Sequence, residues 1–272
     1  MMNFFSAVLL GILQGLTEFL PVSSSGHLVL AQHFFGVQDS GDTLFEVFMH
    51  LGTLLAVLAF FRRRVWSLLV SLFSWKKTLR HQAHRRNRNI VLYLLLASVA
   101  TGVVFLLFGD FFEALYAQPL AVAVMLLATG LIVFISDHLR SGDIPASNMG
   151  VPRSLFIGLL QGFAIIPGIS RSGSTITASL LTGLQRREAA EFSFLLSIPA
   201  ILAANLMSLG LFQQLSWSRF GAYLGGFLAA FGVAYLVIGF LLELISKAKL
   251  RYFSYYCWAV GLISIALILW KR

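Results

Sequence analysis

Eight long apolar stretches fill this chain, and two of them are broken midway, which restricts the fold more than any other feature. Six are uninterrupted: Thr43–Phe61, Ile90–Phe108, Pro119–Ser136, Phe192–Phe212, Phe220–Leu242 and Tyr252–Trp270. Each runs ~18 to 23 residues, enough to cross about 30 Å of hydrocarbon as a helix. Asn3–Phe35 and Ser154–Leu184 instead carry Pro, Gly and runs of Ser at their centres. Such breaks persist at membrane depth only where the freed backbone groups are buried in protein or line a watery cavity. Both therefore read as re-entrant helical hairpins. Composition agrees: with 58% hydrophobic and 11% charged residues, too little charge remains to cover a soluble domain.

The net charge of +9 does not point to nucleic acid, because the basic residues sit in short segments between apolar runs, where anionic lipid headgroups lie. Nine Lys or Arg residues, among them Arg62, Arg63, Arg64, Lys76, Lys77 and Arg86, occupy the loop Arg62–Asn89. The positive-inside bias makes that loop cytoplasmic. Alternation then puts Gly109–Gln118 outside, and Asp137–Arg153, Gln185–Glu191 and Glu243–Arg251 inside. The inner segments hold 16 of the 20 Lys and Arg residues. Within the first loop, Val65–Trp75 is apolar between basic clusters and reads as an interfacial helix. The single cysteine, Cys257, lies in an apolar run and reads as a packed side chain. The amino end shows neither a basic leader nor a clean small-residue cleavage site, so a removable signal peptide is not expected.

The broken stretches match each other at an offset of 147 residues. Gly11-Ile12-Leu13-Gln14-Gly15 aligns with Gly158-Leu159-Leu160-Gln161-Gly162, and Ser23-Ser24-Ser25-Gly26 with Ser170-Arg171-Ser172-Gly173; the prolines Pro21 and Pro167 slip by one. Each hairpin is followed by three spans. Three is odd, so the second copy must be inverted relative to the first. The expected fold is an all-α polytopic membrane protein with an inverted-topology repeat in one membrane domain. Residues 1–136 form the first repeat and 137–272 the second. In such folds the site lies where the repeats meet.

The chemistry-bearing residues cluster at the two breaks. Gln14 and Glu18 are four apart and share a helix face. Glu18 at membrane depth requires a cavity, a cation or a partner. His27, just after Ser23, Ser24 and Ser25, is suited to proton transfer. In the second hairpin Arg171 sits among Ser170, Ser172 and Thr175, and a guanidinium fork fits a carboxylate or phosphate oxygens. Together they make a phosphoryl-transfer set. Ser24 is favoured as nucleophile, with Ser23, Ser25 or a His27-activated water as alternatives. Gln14, Ser23, Ser25, Ser170, Ser172 and Thr175 are expected to bind substrate.

These residues resemble the undecaprenyl-diphosphate phosphatase, or bacitracin-resistance, family. Its signatures are (Glu/Gln)-x-x-x-Glu followed by Pro-Val-Ser-Ser-x-Gly-His, and Pro-Gly-x-Ser-Arg-Ser-x-x-Thr. Here they read Gln14…Glu18, Pro21 to His27, and Pro167 to Thr175. The resemblance covers nearly the whole chain, including Phe45-Glu46 and Glu191 to Leu196. It implies hydrolysis of undecaprenyl diphosphate to the monophosphate, recycling the carrier lipid for peptidoglycan synthesis and conferring bacitracin resistance. It further implies that Glu18, His27 and Arg171 are essential. A divalent cation, Mg²⁺ or Ca²⁺, with Glu18 as ligand, is also implied; position 14 is Gln where many members carry a second carboxylate. The implied location is the bacterial cytoplasmic membrane, with the site opening to the periplasm. The implied partners are the polyprenyl diphosphate and membrane lipids, with a homodimer left open.

Two other classes compete. A transporter or flippase of a phosphorylated lipid or small anion would use the same inverted repeat. A structural scaffold would make no demand on Glu18, His27 or Arg171.

Overall fold

The computed structural model describes residues 4–35, 43–73, 82–214 and 217–270. Asn3, the end of the Val65–Trp75 segment beyond Phe73, Lys76, Lys77, Lys271 and Arg272 lie outside the described residues. Among the described residues the regular structure is helical apart from an isolated bridge between Ile144 and Leu184. A broken pair, α1 (Phe4–Thr17) and α2 (Ser24–Phe35), leads into α3 (Thr43–Phe60), α4 (Arg62–Phe73), α5 (Gln82–Tyr116) and α6 (Pro119–His138). A second broken pair, α7 (Val151–Phe163) and α8 (Arg171–Leu181), leads into α9 (Arg186–Met207), α10 (Trp217–Ser246) and α11 (Arg251–Trp270).

Among the described residues α5, α6, α9, α10 and α11 are each long and apolar enough to cross a membrane, and α3 makes a sixth when taken with α4. The chain is a multi-span membrane protein. Between α3 and α4 the axis turns by 78°. That turn carries Arg62 to Arg64 and lays α4 across the direction of α3, with Trp66 and Phe73 exposed.

The segments flanking Ile90–Phe108 are helical and not loops. α5 runs 35 residues, about 50 Å at 1.5 Å per residue, and so projects beyond the hydrocarbon. Nothing between Gln82 and Tyr116 breaks a helix; the stop comes only with Pro119, which disfavours helical geometry before it. The span expected to end at Phe212 stops instead at Met207, where Ser208 and Gly210 lead into a 3₁₀ turn over Leu209–Gln214.

In lipid, helices gain little from burying apolar surface against one another, so close approach depends on small residues. At Gly11, α1 lies on α10 so closely that a Cβ would overlap the Gly226 carbonyl. The matching contact in the second pair sets Gly158 of α7 on the Ala97 backbone of α5. The outside is as apolar as the core: Leu106, Leu236 and Trp270 are largely exposed, as lipid-facing residues should be.

Candidate active site

Each helix pair breaks for a readable reason. Pro21 ends the first half-helix, and Ser23 takes a positive φ of 69° to begin the second. At the other break Gly168 has φ 95°, a value that suits glycine. Both second half-helices are then capped alike: Ser23 Oγ accepts from the Gly26 N–H at 3.2 Å, and Ser170 Oγ from the Gly173 N–H at 3.1 Å. The two tips touch. A Cβ on Gly26 would lie 3.0 Å from the Gly168 Cα, and the Ser172 hydroxyl donates to the Leu20 carbonyl at 3.1 Å.

Glu18 is the hub of this contact. Arg171 Nη2 donates to its Oε1 at 2.9 Å. Its Oε2 accepts from Gln14 Nε2 at 2.9 Å and from the Ser24 hydroxyl at 2.8 Å. The carboxylate is 8% exposed, and a buried charge of this kind persists only when paired and hydrogen-bonded. The guanidinium is fixed from two further sides: Nη1 reaches the Ser193 carbonyl at 3.4 Å, and the Phe19 ring lies 5.9 Å away. Phe19 is held edge-on by Phe194, with centroids 5.6 Å apart.

The three serines of the first tip differ in what they touch. Ser23 caps α2. Ser25 contacts Ser23 at 3.3 Å, with Tyr116 close by. Ser24 alone contacts the carboxylate. His27 does not face it: Nδ1 lies 2.8 Å from the Ser23 carbonyl and Nε2 2.8 Å from the Tyr256 hydroxyl. A carbonyl can only accept, so Nδ1 carries the proton and Nε2 of the neutral ring accepts from Tyr256. His27, expected to serve in proton transfer near the serines, thus bonds a backbone carbonyl and a tyrosine and no serine hydroxyl. The ring stacks flat on Tyr256, 4° between planes.

In the second tip the hydroxyls expected to bind substrate are turned inward. Ser170 caps α8, Ser172 holds Leu20, and Thr175 bonds Ser193 Oγ at 2.6 Å. All three are buried.

Three neighbours were missed by sequence reasoning. His50 of α3 lies 3.7 Å from Glu18 Oε2 and 3.1 Å from Gln14 Nε2. An ionisable residue inside the span Thr43–Phe61 was the available signal. Tyr116 and Tyr256 gave none, because each reaches the tips only through tertiary packing.

The donor set does not fit a resident divalent cation. Both Glu18 oxygens are engaged, a guanidinium stands at 2.9 Å, and among the described residues no three His, Cys, Asp or Glu side chains gather.

A hydroxyl, a carboxylate and a guanidinium brought together inside a bundle of membrane spans define a polytopic membrane protein equipped to handle a phosphoryl group. The comparisons agree: the chain belongs to the family described as bacitracin resistance protein BacA, whose model matches residues 7–263. It is 44% identical to the undecaprenyl-diphosphatase of Methanobrevibacter smithii over 96% of each chain. It is also 42% identical to the undecaprenyl-diphosphatase of Halothermothrix orenii and 39% to that of Carboxydothermus hydrogenoformans, over 98% of each chain in both cases.

Proposed function

We propose that this protein hydrolyses undecaprenyl diphosphate to undecaprenyl phosphate and inorganic phosphate, returning the carrier lipid to cell-wall synthesis and conferring bacitracin resistance. The observation that carries the reading is the chain of contacts from the Ser24 hydroxyl through Glu18 to Arg171, 2.8 and 2.9 Å long. The diphosphate takes Arg171 from Glu18, since a guanidinium serves phosphate oxygens as well as a carboxylate. Glu18 is then free to accept the Ser24 proton. Ser24 Oγ attacks the terminal phosphorus, and the bond to the bridging oxygen breaks with its electron pair on undecaprenyl phosphate. Water next attacks the phosphoserine, and Glu18 returns its proton to the Ser24 oxygen. Inorganic phosphate leaves with the water oxygen and one proton, the other passing to solvent by way of His50. His27, held by Tyr256, fixes the Ser23 carbonyl and with it the turn that presents Ser24.

The same proposal includes an inverted repeat, residues 1–136 and 137–272, supported by the matched caps at Ser23 and Ser170 and the matched contacts of Gly11 and Gly158. The membrane is the bacterial inner membrane, and the pocket opens to the periplasm. His50 lies seven residues along α3 from Thr43, roughly 10 Å, and ten from Phe60, roughly 15 Å, so the pocket is nearer the end away from Arg62 to Arg64. Tyr116, at the far end of α5 from its basic start, lies close to Ser25. A divalent cation, Mg²⁺ or Ca²⁺, comes with the diphosphate and not as a resident of the protein. Every side chain in this scheme comes from one chain, so a homodimer is not required for it.

The test is phosphate release by purified protein in detergent, with no gradient, under Mg²⁺ and Ca²⁺. Release abolished by Glu18→Gln is expected. No release by the wild type would favour the transporter.

A further inference from the structure

The basic side of the bundle, which the positive-inside bias makes cytoplasmic, holds a cleft of about 530 Å³. That is within the ~300–1,000 Å³ of ordinary ligand pockets. It lies where the first turns of α5 meet Arg64, the segment Pro145 to Ser147 and the start of α9. Three of its lining side chains are charged: Arg64, Arg86 and Glu188. None of the lining residues belongs to the Glu18–Arg171 site.

These three ions are only partly engaged by the protein. Arg64 Nε donates to Glu191 Oε1 at 2.6 Å and Nη1 to Asn87 Oδ1 at 2.9 Å. Asn87 is itself tied to the Ser67 carbonyl and the Ser71 hydroxyl, so the guanidinium is held from two sides while Nη2 has no partner among the described residues. Arg86 is exposed and bonds nothing among the described residues. Glu188 Oε2 accepts the Ala146 N–H at 3.0 Å, and Oε1 is uncommitted among the described residues. Depth limits what can reach them. Along α5 the lining runs from Gln82 to Ile90, roughly 12 Å, and Ile90 opens the apolar run. An interval of that length takes in the headgroup layer, ~5–7 Å deep on each side of a bilayer. Trp66 and Phe73 are exposed on α4 nearby, and such residues suit the same boundary.

We propose that this cleft binds a phospholipid headgroup carrying both a phosphodiester and a primary ammonium, as a phosphoethanolamine does. Arg64 and Arg86 take the phosphate oxygens, and Glu188 Oε1 accepts from the ammonium. A site for an anion alone is opposed by a carboxylate in its wall, and a site for a cation alone by two guanidiniums, since like charges set together are costly. A zwitterion uses all three. A quaternary ammonium has no N–H to give Glu188, and a glycerol headgroup has no cation. The site stands apart from the proposed hydrolysis and does not depend on it.

The test is lipid binding by the full chain in detergent, read by native mass spectrometry with added phosphatidylethanolamine, its N-methylated series up to phosphatidylcholine, and phosphatidylglycerol. Phosphatidylethanolamine is expected to bind about tenfold or more tightly than the other two end members, the loss that follows one hydrogen bond to a charged group. Glu188→Gln, which can still accept the Ala146 N–H, should bring phosphatidylethanolamine to the level of phosphatidylcholine. Arg86→Gln should weaken all three lipids, and Arg140→Gln, which removes an exposed arginine outside the cleft, should weaken none. Phosphatidylglycerol binding as tightly as phosphatidylethanolamine, or losing as much in Glu188→Gln, would make the cleft a general anion site and overturn the proposal. Displacement of the lipid by an equal concentration of inorganic phosphate or free phosphoethanolamine would overturn its lipid source. Equal losses in Arg86→Gln and Arg140→Gln would reduce the binding to surface charge and overturn it too. Should the variants not fold, the wild type alone decides: affinity unchanged along the N-methyl series sinks the assignment.

Discussion

The two hairpin tips are built alike and equipped differently. Ser23 and Ser170 cap their half-helices with nearly equal hydrogen bonds, 3.2 and 3.1 Å, and each sits beside a second serine hydroxyl, at 3.3 and 3.2 Å. At and around those caps the tips diverge. Ser24 corresponds to Arg171, Glu18 to Ile165, and His27 to Ser174. The first tip therefore carries a hydroxyl and a carboxylate in contact, and the second carries a cation surrounded by hydroxyls already bonded within the protein. One backbone device serves twice, as a mount for a hydroxyl and a carboxylate and as a mount for a guanidinium. Neither tip alone pairs its ion: Glu18 needs Arg171 as much as Arg171 needs Glu18.

The comparison breaks most visibly at Ser24, the proposed nucleophile. Ser24→Ala is expected to lower kcat by roughly 10⁴-fold or more, as removal of a nucleophile does, with thermal stability little changed. An activity near wild type would return the reaction to direct attack by water. Arg171→Ala is the next largest, on the order of 10³-fold in kcat/KM, the range for an arginine that stabilises transferring phosphate. It also strands Glu18, and removing one partner of a buried ion pair costs ~3–5 kcal/mol. The double variant Arg171→Ala with Glu18→Gln should recover much of that stability and none of the activity, which a thermal melt and a phosphate assay separate. Tyr256→Phe should be milder, roughly fivefold in kcat, corresponding to about 1 kcal/mol of hydrogen bonding. His27 would keep the Ser23 carbonyl and lose only its Nε2 partner. A change in KM with kcat untouched would make Tyr256 a substrate contact and remove it from the positioning role.

Much of this was legible before any coordinates. The breaks in Asn3–Phe35 and Ser154–Leu184 were visible because Pro, Gly and Ser stop helices through local backbone geometry, and local geometry is what a sequence records best. Glu18 and Arg171 stood out because an ion inside an apolar run has few ways to exist. Direction was harder to read. His27 follows the serines directly in sequence, yet its ring meets Tyr256, 229 residues away. Ser170, Ser172 and Thr175 looked like a phosphate cradle by composition. Whether a serine faces a cavity or a carbonyl depends on helix rotation, which residue type does not encode. The length of α5 was hidden for another reason: Arg85 to Arg88 and Asp110 to Glu113 mark where the membrane ends, and a helix does not have to end there.

The smallest expected effect distinguishes a cap from a ligand. If the Ser170 hydroxyl only satisfies the Gly173 N–H, Ser170→Ala should cost about 1 kcal/mol, the usual value of an N-cap, and leave phosphate release within a few-fold of wild type. The cost should appear in the melting temperature, because the orphaned N–H is buried at the start of α8. Ser23→Ala removes the corresponding bond in the first tip and should carry a similar stability cost. It should also reduce kcat, because the cap it removes sits on the turn that presents Ser24. Equal losses of activity in the two variants would mean that both tips meet the phosphate. Equal retention would mean that neither cap is coupled to the reacting hydroxyl, and that the turn at Ser23 is held by its left-handed backbone and the His27 contact alone.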